Sequence, residues 1–155
     1  MNEDALPLLT VCMPTKNNAW CLDRVLRAIE SVDYPRDRIK LVFVDDFSED
    51  GTFEKLLEWR DRMKGQYYDI VVVQKRTNIP QARNLCVKYA EGEYILFWDS
   101  DVVPPKILLK EMVSIMESDD SIGIIGADYI YEQHVKVKYK PTTNKETHAA
   151  YMGFT

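Results

Sequence analysis

Two aspartates separated by one residue, Asp99 and Asp101, follow an apolar run at residues 94–98. Two carboxylates so close together repel each other unless a cation or a bound hydroxyl group takes up their charge. Mg²⁺ and Mn²⁺ prefer carboxylate, water and phosphate oxygens, and Mg²⁺ is often held by only one or two protein carboxylates. The spacing therefore predicts that Asp99-Ser100-Asp101 binds Mn²⁺ or Mg²⁺ together with the ligand that this metal carries.

A second acid pair, Asp45 and Asp46, ends another apolar run at residues 41–44. The carboxyl ends of parallel strands lie along one edge of a sheet, where open α/β sheets bind their ligands. The alternative is that Asp45, Glu49 and Asp50 only cap the next helix, where each negative charge stabilises by about 0.3–1 kcal/mol. We prefer capping for Glu49 and Asp50. For Asp46 we prefer ligand binding, because capping does not explain why two separate strands end in paired carboxylates.

The elements that must position these acids alternate along the chain. Apolar runs predict buried strands at residues 8–13, 41–44 and 94–98 and further strands at 70–73 and 122–125, with a helix between each pair. One of these helices, over residues 81–90, is expected to pack through Ala82, Leu85, Cys86 and Tyr89. Residues 128–139 alternate between apolar and polar types and predict an antiparallel hairpin. The order indicates an α/β fold with a mostly parallel sheet flanked by helices.

The composition indicates a single domain over residues 1–155. Hydrophobic residues make up 46% and charged residues 29%, and the net charge of −5 argues against a nucleic-acid partner. Three cysteines without C-x-x-C spacing indicate reduced thiols in the cytoplasm. We see neither a signal peptide nor the roughly 18 apolar residues of a membrane span. We therefore expect a soluble cytoplasmic chain that meets a membrane only through segments outside this sequence, at the cytoplasmic face.

Several common phosphate and acyl-transfer motifs are missing from the sequence. It contains no G-x-x-x-x-G-K-[ST] loop, no G-x-G-x-x-G turn and no G-x-S-x-G elbow. A diphosphate would then have to be held through a metal, which fits the acidic strand ends.

Four segments occur in an order that resembles family 2 of the nucleotide-sugar-dependent glycosyltransferases. They are VCMPTKN at residues 11–17, FVDDFSEDGT at 43–52, ARN at 82–84 and EGEYILFWDSD at 91–101. The resemblance covers residues 8 to 116 and implies the GT-A fold, with Asp99-Ser100-Asp101 as the D-x-D motif. It also implies an inverting reaction, in which an acceptor hydroxyl attacks the sugar directly after a carboxylate base removes its proton.

The resemblance also implies a role for individual residues. Pro14, Thr15 and Asn17 would line the nucleotide pocket, and Asp46 would accept a hydrogen bond from uracil N3–H or guanine N1–H. Arg83 would position the nucleotide. Asp99 would bind ribose or a diphosphate water beside the metal, and Asp101 would coordinate Mn²⁺ or Mg²⁺. For Arg83, a surface arginine paired with an acid is nearly as good an interpretation. The implied partners are a UDP- or GDP-linked sugar and a glycan or lipid-linked acceptor.

The sequence departs from the family pattern in two places. The family has a glycine before ARN, whereas this chain has Asn78-Ile79-Pro80-Gln81. The family's base also follows the D-x-D half, so we expect it beyond Thr155 and regard the chain as truncated at the acceptor side. Asp128, Glu132 and His148 are the only candidates before that point, and we choose none of them.

Two other functions remain open from the residues alone. One is a sugar-phosphate nucleotidyltransferase, although residues 15–18 form a poor loop for a triphosphate. The other is a non-catalytic nucleotide-binding or receiver-like module, although a receiver has its acid pair after the first strand and Asp45-Asp46 follows the second.

Overall fold

A parallel sheet of four strands forms the centre of the fold. The computed structural model describes residues 6–127 and 141–143. Its elements are β1 (Leu9–Thr15), α1 (Ala19–Glu30), a 3₁₀ turn (Arg36–Arg38), β2 (Ile39–Asp45), α2 (Thr52–Met63), β3 (Asp69–Gln74), α3 (Ile79–Tyr89), β4 (Tyr94–Phe97), α4 (Leu108–Ser118), β5 (Ile125–Ala127) and β6 (Pro141–Thr143). The strand order β3-β2-β1-β4, with every pair parallel, confirms the α/β fold expected from the sequence.

Helices cover both faces of this sheet. Successive residues of β2 point to opposite faces, so Val42 and Val44 lie on one side and Phe43 on the other. The first side packs against Ala82 and Cys86 of α3. On the second side, the ring of Phe43 meets the ring of Trp59 in α2 at 5.8 Å. Side chains of β2 are therefore buried on both faces, which is why its sequence is an almost continuous apolar run.

Two of the expected burial patterns are wrong. The run at residues 94–98 was expected to be a buried strand, yet Ile95 is 43% exposed and the other residues of β4 are half-buried. In the described part of the chain β4 pairs only with β1, so it is an edge strand. Tyr89, expected to pack beneath α3, is 38% exposed at the last position of that helix.

The fifth strand also differs from the prediction. It was expected at residues 122–125 as a further parallel strand, but β5 begins at Ile125 and pairs antiparallel with β6. A short strand with an antiparallel partner does not need the helical crossover that a parallel strand requires. The hairpin predicted at residues 128–139 lies outside the described residues, as do the three candidate bases.

The chain divides into two compact units, described here one at a time. Residues 1–27 and 34–103 form the first unit, which contains the parallel sheet. Residues 28–33 and 104–155 form the second, in which Asp33 N donates to Lys106 O at 2.8 Å. A single domain over 1–155 stays a prediction. Among the described helices, none combines the length and apolar character that crossing a membrane requires.

A proline determines where β4 leaves the sheet. The ladder between β1 and β4 ends at the pair Cys12 and Phe97, followed by a bond from Trp98 N to Cys12 O at 2.9 Å. In a parallel ladder, the next bond would run from residue 14 N–H to Trp98 O. Pro14 has no N–H, so this bond cannot form. The chain is therefore released from the sheet directly before Asp99.

Candidate functional site

The loops that follow β1, β2 and β4 meet at the carboxyl edge of the sheet. Asp46 N donates to Thr15 O at 3.0 Å, which holds the β2 end against the β1 end. Asp99 and Asp101 leave the sheet on the other side of β1. With neighbouring strands about 4.8 Å apart, the backbones of β2 and β4 are about 10 Å apart across β1. The structure thus brings Asp46 and the Asp99–Asp101 turn to one edge, on either side of Pro14 and Thr15.

Asp45 is buried and organises the loop that follows β2. Its carboxylate accepts hydrogen bonds from Ser48 N at 3.0 Å, from the Ser48 hydroxyl, and from Gln74 Nε2 at 3.0 Å. Its side chain is not exposed to solvent. Asp45 is therefore a structural residue that fixes the start of the loop.

Asp46 is half-buried in the same loop and pairs with a lysine. Its Oδ2 lies 2.5 Å from Lys16 Nζ, and its Oδ1 accepts a hydrogen bond from Thr77 N at 2.9 Å. The hydrogen bond from Lys16, supported by the one from Thr77, holds the pKa of Asp46 below its ordinary value. Asp46 is therefore a carboxylate anion with one oxygen bound to a backbone amide and one bound to an exposed lysine.

The β1–α1 and β2–α2 loops are tied to each other. Asn17 has a left-handed backbone with φ of 51°, and its Oδ1 accepts a hydrogen bond from Glu49 N at 2.9 Å. The Asp50 carboxylate accepts from Ala19 N at 2.9 Å, at the start of α1, and from Thr52 N at 3.1 Å, at the start of α2. The helix-capping role expected for Asp50 is thus confirmed. Asn17, predicted to bind nucleotide, braces the loops beside Lys16.

The Asp99–Asp101 turn is held by contacts on three sides. Trp98 Nε1 donates to Val102 O at 2.9 Å, and Val102 N donates to Asp99 O at 3.1 Å. The thiol of Cys21, at the beginning of α1, donates to Ser100 O at 3.5 Å. Ser100 is buried, while Asp101 points to the exposed side. The turn is therefore a fixed structure that presents a carboxylate to solvent.

Arg83 of α3 faces the first aspartate of this turn. Its Nη2 lies 3.4 Å from Asp99 Oδ1, and its guanidinium lies 5.7 Å above the centre of the Phe97 ring. Burial raises the pKa of Asp99, the charge of Arg83 opposes this, and the charge of Asp101 adds to it. Arg83 is thus paired with an acid, but its side chain is only 15% exposed, so it is not a surface arginine. Its role in positioning the nucleotide stays a prediction.

The carboxylates of Asp99 and Asp101 suit Mn²⁺ or Mg²⁺ better than they suit a metal ion that is surrounded by protein ligands. Within the described ranges, no group of three or more His, Cys, Asp or Glu side chains could surround an ion. Mg²⁺ commonly keeps several waters and binds one or two carboxylates plus substrate phosphates. The site also contains the Thr15 hydroxyl, which is buried and has no hydrogen-bond partner among the described residues. Asp99 and Asp101 therefore match a hard cation that is shared with a ligand.

Three residues of this site were not predicted from the sequence. Lys16 was part of the VCMPTKN segment but was given no role, although it is the only cation between Pro14 and Ala19. Thr77 contributes only its backbone N–H, for which side-chain patterns give no signal. Cys21 was treated as a packed thiol, and its contact with Ser100 depends on tertiary structure.

Comparison with known proteins identifies similar chains and structures. Residues 10–154 match the family described as Glycosyl transferase family 2. Poly(ribitol-phosphate) beta-N-acetylglucosaminyltransferase TarS of Staphylococcus aureus is 30% identical over 115 residues, which cover 72% of this chain and 19% of TarS. Probable glycosyltransferase YdaM of Bacillus subtilis is 26% identical over 130 residues, covering 80% of this chain and 30% of YdaM. The chain thus spans less than a third of the length of these relatives.

Two solved structures show similar folds with bound nucleotides. A crystal structure of S. aureus TarS 1-349 in complex with UDP has a TM-score of 0.62 and 30% identity, covering 72% of this chain and 32% of that one. The mannosyltransferase PcManGT of Pyrobaculum calidifontis, in complex with GDP-Man and Mn²⁺, has a TM-score of 0.70 and 29% identity, covering 78% and 35%.

Proposed function

Because this chain belongs to glycosyltransferase family 2 and is therefore a glycosyltransferase with the GT-A fold, we propose that it binds a nucleoside-diphosphate sugar through Asp46 and the Asp99–Asp101 turn. The sugar would pass to an acceptor hydroxyl with inversion. The nucleotidyltransferase and receiver alternatives have no support from these relatives. The proposal rests on one observation. The two acidic strand ends, Asp46 and the Asp99–Asp101 turn, lie on opposite sides of the end of β1.

The proposed roles follow from the chemistry of each group. Asp46 would accept the N–H of the base, beside the backbone of Pro14 and Thr15. Asp99 and Asp101 would hold Mn²⁺ or Mg²⁺, which stabilises the negative charge that grows on the leaving diphosphate. Arg83 would hold Asp99 in place and add positive charge beside the phosphates. Asn17 would keep the β1–α1 loop in position.

Direct displacement of the diphosphate needs an acceptor and a base. The acceptor hydroxyl would attack the anomeric carbon as a base removes its proton, with no covalent enzyme intermediate. We assign no base among the described residues and propose that it is supplied by a segment outside them. A glycan or lipid-linked acceptor and a cytoplasmic location remain part of this proposal, with any membrane contact made through segments outside this chain.

Calorimetric titration of UDP and GDP into the chain, with and without Mn²⁺, tests the proposed donor site. We expect at least one of the two to bind in the presence of Mn²⁺. Replacement of Asp101 by alanine should weaken this binding by about 10-fold or more, because one metal ligand is lost. Asp61→Ala is the matched control, since Asp61 is exposed on α2 and pairs with the neighbouring Arg60. Unchanged binding in Asp101→Ala would contradict the metal role, and no binding of either nucleotide would contradict the proposed function.

A further inference from the structure

The exposed face of α1 carries an aromatic residue and two arginines in one row. Trp20, Arg24 and Arg27 are separated by four and then three residues, which places them next to one another along one side of a helix. All three are exposed, and Trp20 is 76% exposed. A single exposed apolar residue needs no explanation, but two cations beside an aromatic ring give this face a ligand chemistry. We call these three residues the α1 row.

The positive charges of the α1 row are not neutralised by the neighbouring acid of the same helix. Asp23 lies four residues before Arg27 and is spaced to pair with it, but Asp23 instead binds Lys55 of α2 at 2.9 Å. Within the part of the chain that the structure describes, neither Arg24 nor Arg27 forms an ion pair. The row therefore offers two guanidinium groups to an anion from outside the protein.

The α1 row begins at the edge of the sheet that carries the candidate site. α1 starts at Ala19, directly after the loop that follows β1, so Trp20 lies at the carboxyl edge. The thiol of the next residue, Cys21, donates to Ser100 O in the Asp99–Asp101 turn at 3.5 Å. A ligand that lies along the row therefore has one end beside this turn.

We propose that the α1 row binds the acceptor, and that the acceptor is a glycan chain that carries phosphate or carboxylate groups. The inference rests on the proposed function, in which a sugar passes to an acceptor hydroxyl. The apolar C–H face of a sugar ring packs on the indole of Trp20. Each guanidinium binds an anionic group of the chain through parallel N–H donors. The row contacts the part of the acceptor away from the reacting hydroxyl, so it contributes binding without touching the reacting atoms.

A chain-like ligand fits this face better than an anionic membrane surface does. α2 lies beside α1, because Lys55 Nζ donates to Ala19 O at 3.2 Å and to Asp23 Oδ2 at 2.9 Å. The exposed side of α2 carries the acids Glu54 and Glu58. A broad anionic surface would meet these acids together with the α1 row and be repelled by them, whereas a single glycan chain can follow α1 alone.

Tryptophan fluorescence tests the inference, because Trp20 is exposed while the other two tryptophans, Trp59 and Trp98, are buried. Dextran phosphate and hyaluronan serve as anionic glycans, dextran as a neutral glycan, and vesicles of phosphatidylglycerol as an anionic membrane. We expect at least one anionic glycan to shift the emission to shorter wavelength and to bind about 10-fold or more tightly than dextran.

Variants of the α1 row identify the groups that bind. Trp20→Ala should abolish the emission shift and weaken binding of the anionic glycan about 10-fold, as measured by calorimetry. Arg24→Gln keeps the indole and should weaken binding about 5-fold or more, because one charged contact is lost. Arg38→Gln, at an exposed position in the 3₁₀ turn, is the matched control and should change neither value. All three variants should unfold at the temperature of the unmodified chain, because each changed residue is exposed.

The outcomes separate this inference from the proposed function. If neither anionic glycan binds, or if dextran binds as tightly, the acceptor assignment is wrong. It is also wrong if the vesicles shift the emission and the glycans do not, or if Trp20→Ala and Arg24→Gln both keep full glycan binding. UDP or GDP binding with Mn²⁺ should be the same in these variants as in the unmodified chain. Nucleotide binding without glycan binding would therefore contradict this inference alone, and no nucleotide binding would contradict the proposed function.

Discussion

The carboxylates of Asp45 and Asp46 are adjacent in the chain but lie in different environments. Asp45 is fully buried beneath the loop and is bound to Ser48 and Gln74. Asp46 is half-buried and is bound to Lys16 and Thr77. This follows from the geometry of an extended chain, in which consecutive side chains point to opposite sides. Asp45 thus builds the loop, while the partly exposed Asp46 carboxylate is the one that the proposed function assigns to the nucleobase.

Exchange of each aspartate for asparagine should therefore give different results. Asp45→Asn directs an amide N–H₂ toward groups that donate, so we expect a loss of about 2 kcal/mol in the free energy of unfolding. Asp46→Asn should leave the unfolding temperature nearly unchanged and weaken binding of UDP or GDP, whichever the unmodified chain binds, about 10-fold or more. Denaturant unfolding and calorimetric titration measure the two quantities. Equal destabilisation by both changes would show that Asp46 is also structural.

Gly92 is expected to be the least replaceable glycine of the described residues. Its φ is +94°, and a Cβ atom placed there would lie 2.3 Å from the backbone oxygen of Leu8. Gly92→Ala should therefore lower the free energy of unfolding by about 3 kcal/mol or more. Gly65→Ala is the control for backbone strain alone, because Gly65 has a φ of +79° but open space around it. A cost of about 1–2 kcal/mol is expected there. Similar losses for both variants would disprove the clash.

A buried lysine at the amino end of the sheet should make stability depend on pH. Lys40 is only 6% exposed, and its Nζ lies 2.5 Å from Glu91 and 3.2 Å from Asp69. Burial alone would lower the pKa of Lys40, but the two carboxylates outweigh it and raise the pKa. The hydrogen bond from Lys40 in turn lowers the pKa of Glu91.

The sign of the pH effect follows from the lowered pKa of Glu91. Its contribution to stability is complete above the unfolded-state pKa and is lost as the pH falls from about 4 through the lower pKa of the folded state. Glu91→Gln should be less stable at pH 7 and should lose less stability between pH 5 and 3 on acidification, as measured by urea unfolding. Glu93→Gln, at an exposed position nearby, is expected to keep the original pH dependence. If Glu91→Gln loses as much free energy of unfolding between pH 5 and 3 as the unmodified chain does, this account is wrong.

Cys21 is expected to affect metal binding without contacting the metal. Its thiol holds the backbone of Ser100, which lies between the two candidate ligands. Cys21→Ala should weaken the Mn²⁺-dependent binding of UDP or GDP by up to about 10-fold, because the turn loses one of its supports. Cys86→Ala is the control, since Cys86 is equally buried but packs in the core beneath α3. It should lower the unfolding temperature and leave the Mn²⁺ dependence unchanged. Equal effects of both variants on nucleotide binding would rule out the positioning role.

The sequence was sufficient to predict the α/β fold and the acidic residues at one edge of the sheet. The uncharged runs that become β1 and β2 allow few other structures, and parallel strands necessarily place Asp46 and Asp99 at one edge. The sequence was not sufficient to predict that Ile95 is exposed. An apolar run looks the same at the centre and at the edge of a sheet, because strand order depends on contacts between distant segments. The orientation of Lys16 depends in the same way on a loop conformation that is completed by Glu49.

Pro14 also limits how far the sheet can extend beside β1. Any strand that approached β1 on this side, from this chain or from another molecule, would present a carbonyl group to a position that has no hydrogen to offer. Each such pairing would lack one ladder hydrogen bond, which disfavours extension of the sheet past Asp99. An alanine there would supply the missing donor, lengthen β4, and draw the first aspartate out of its turn and into the ladder.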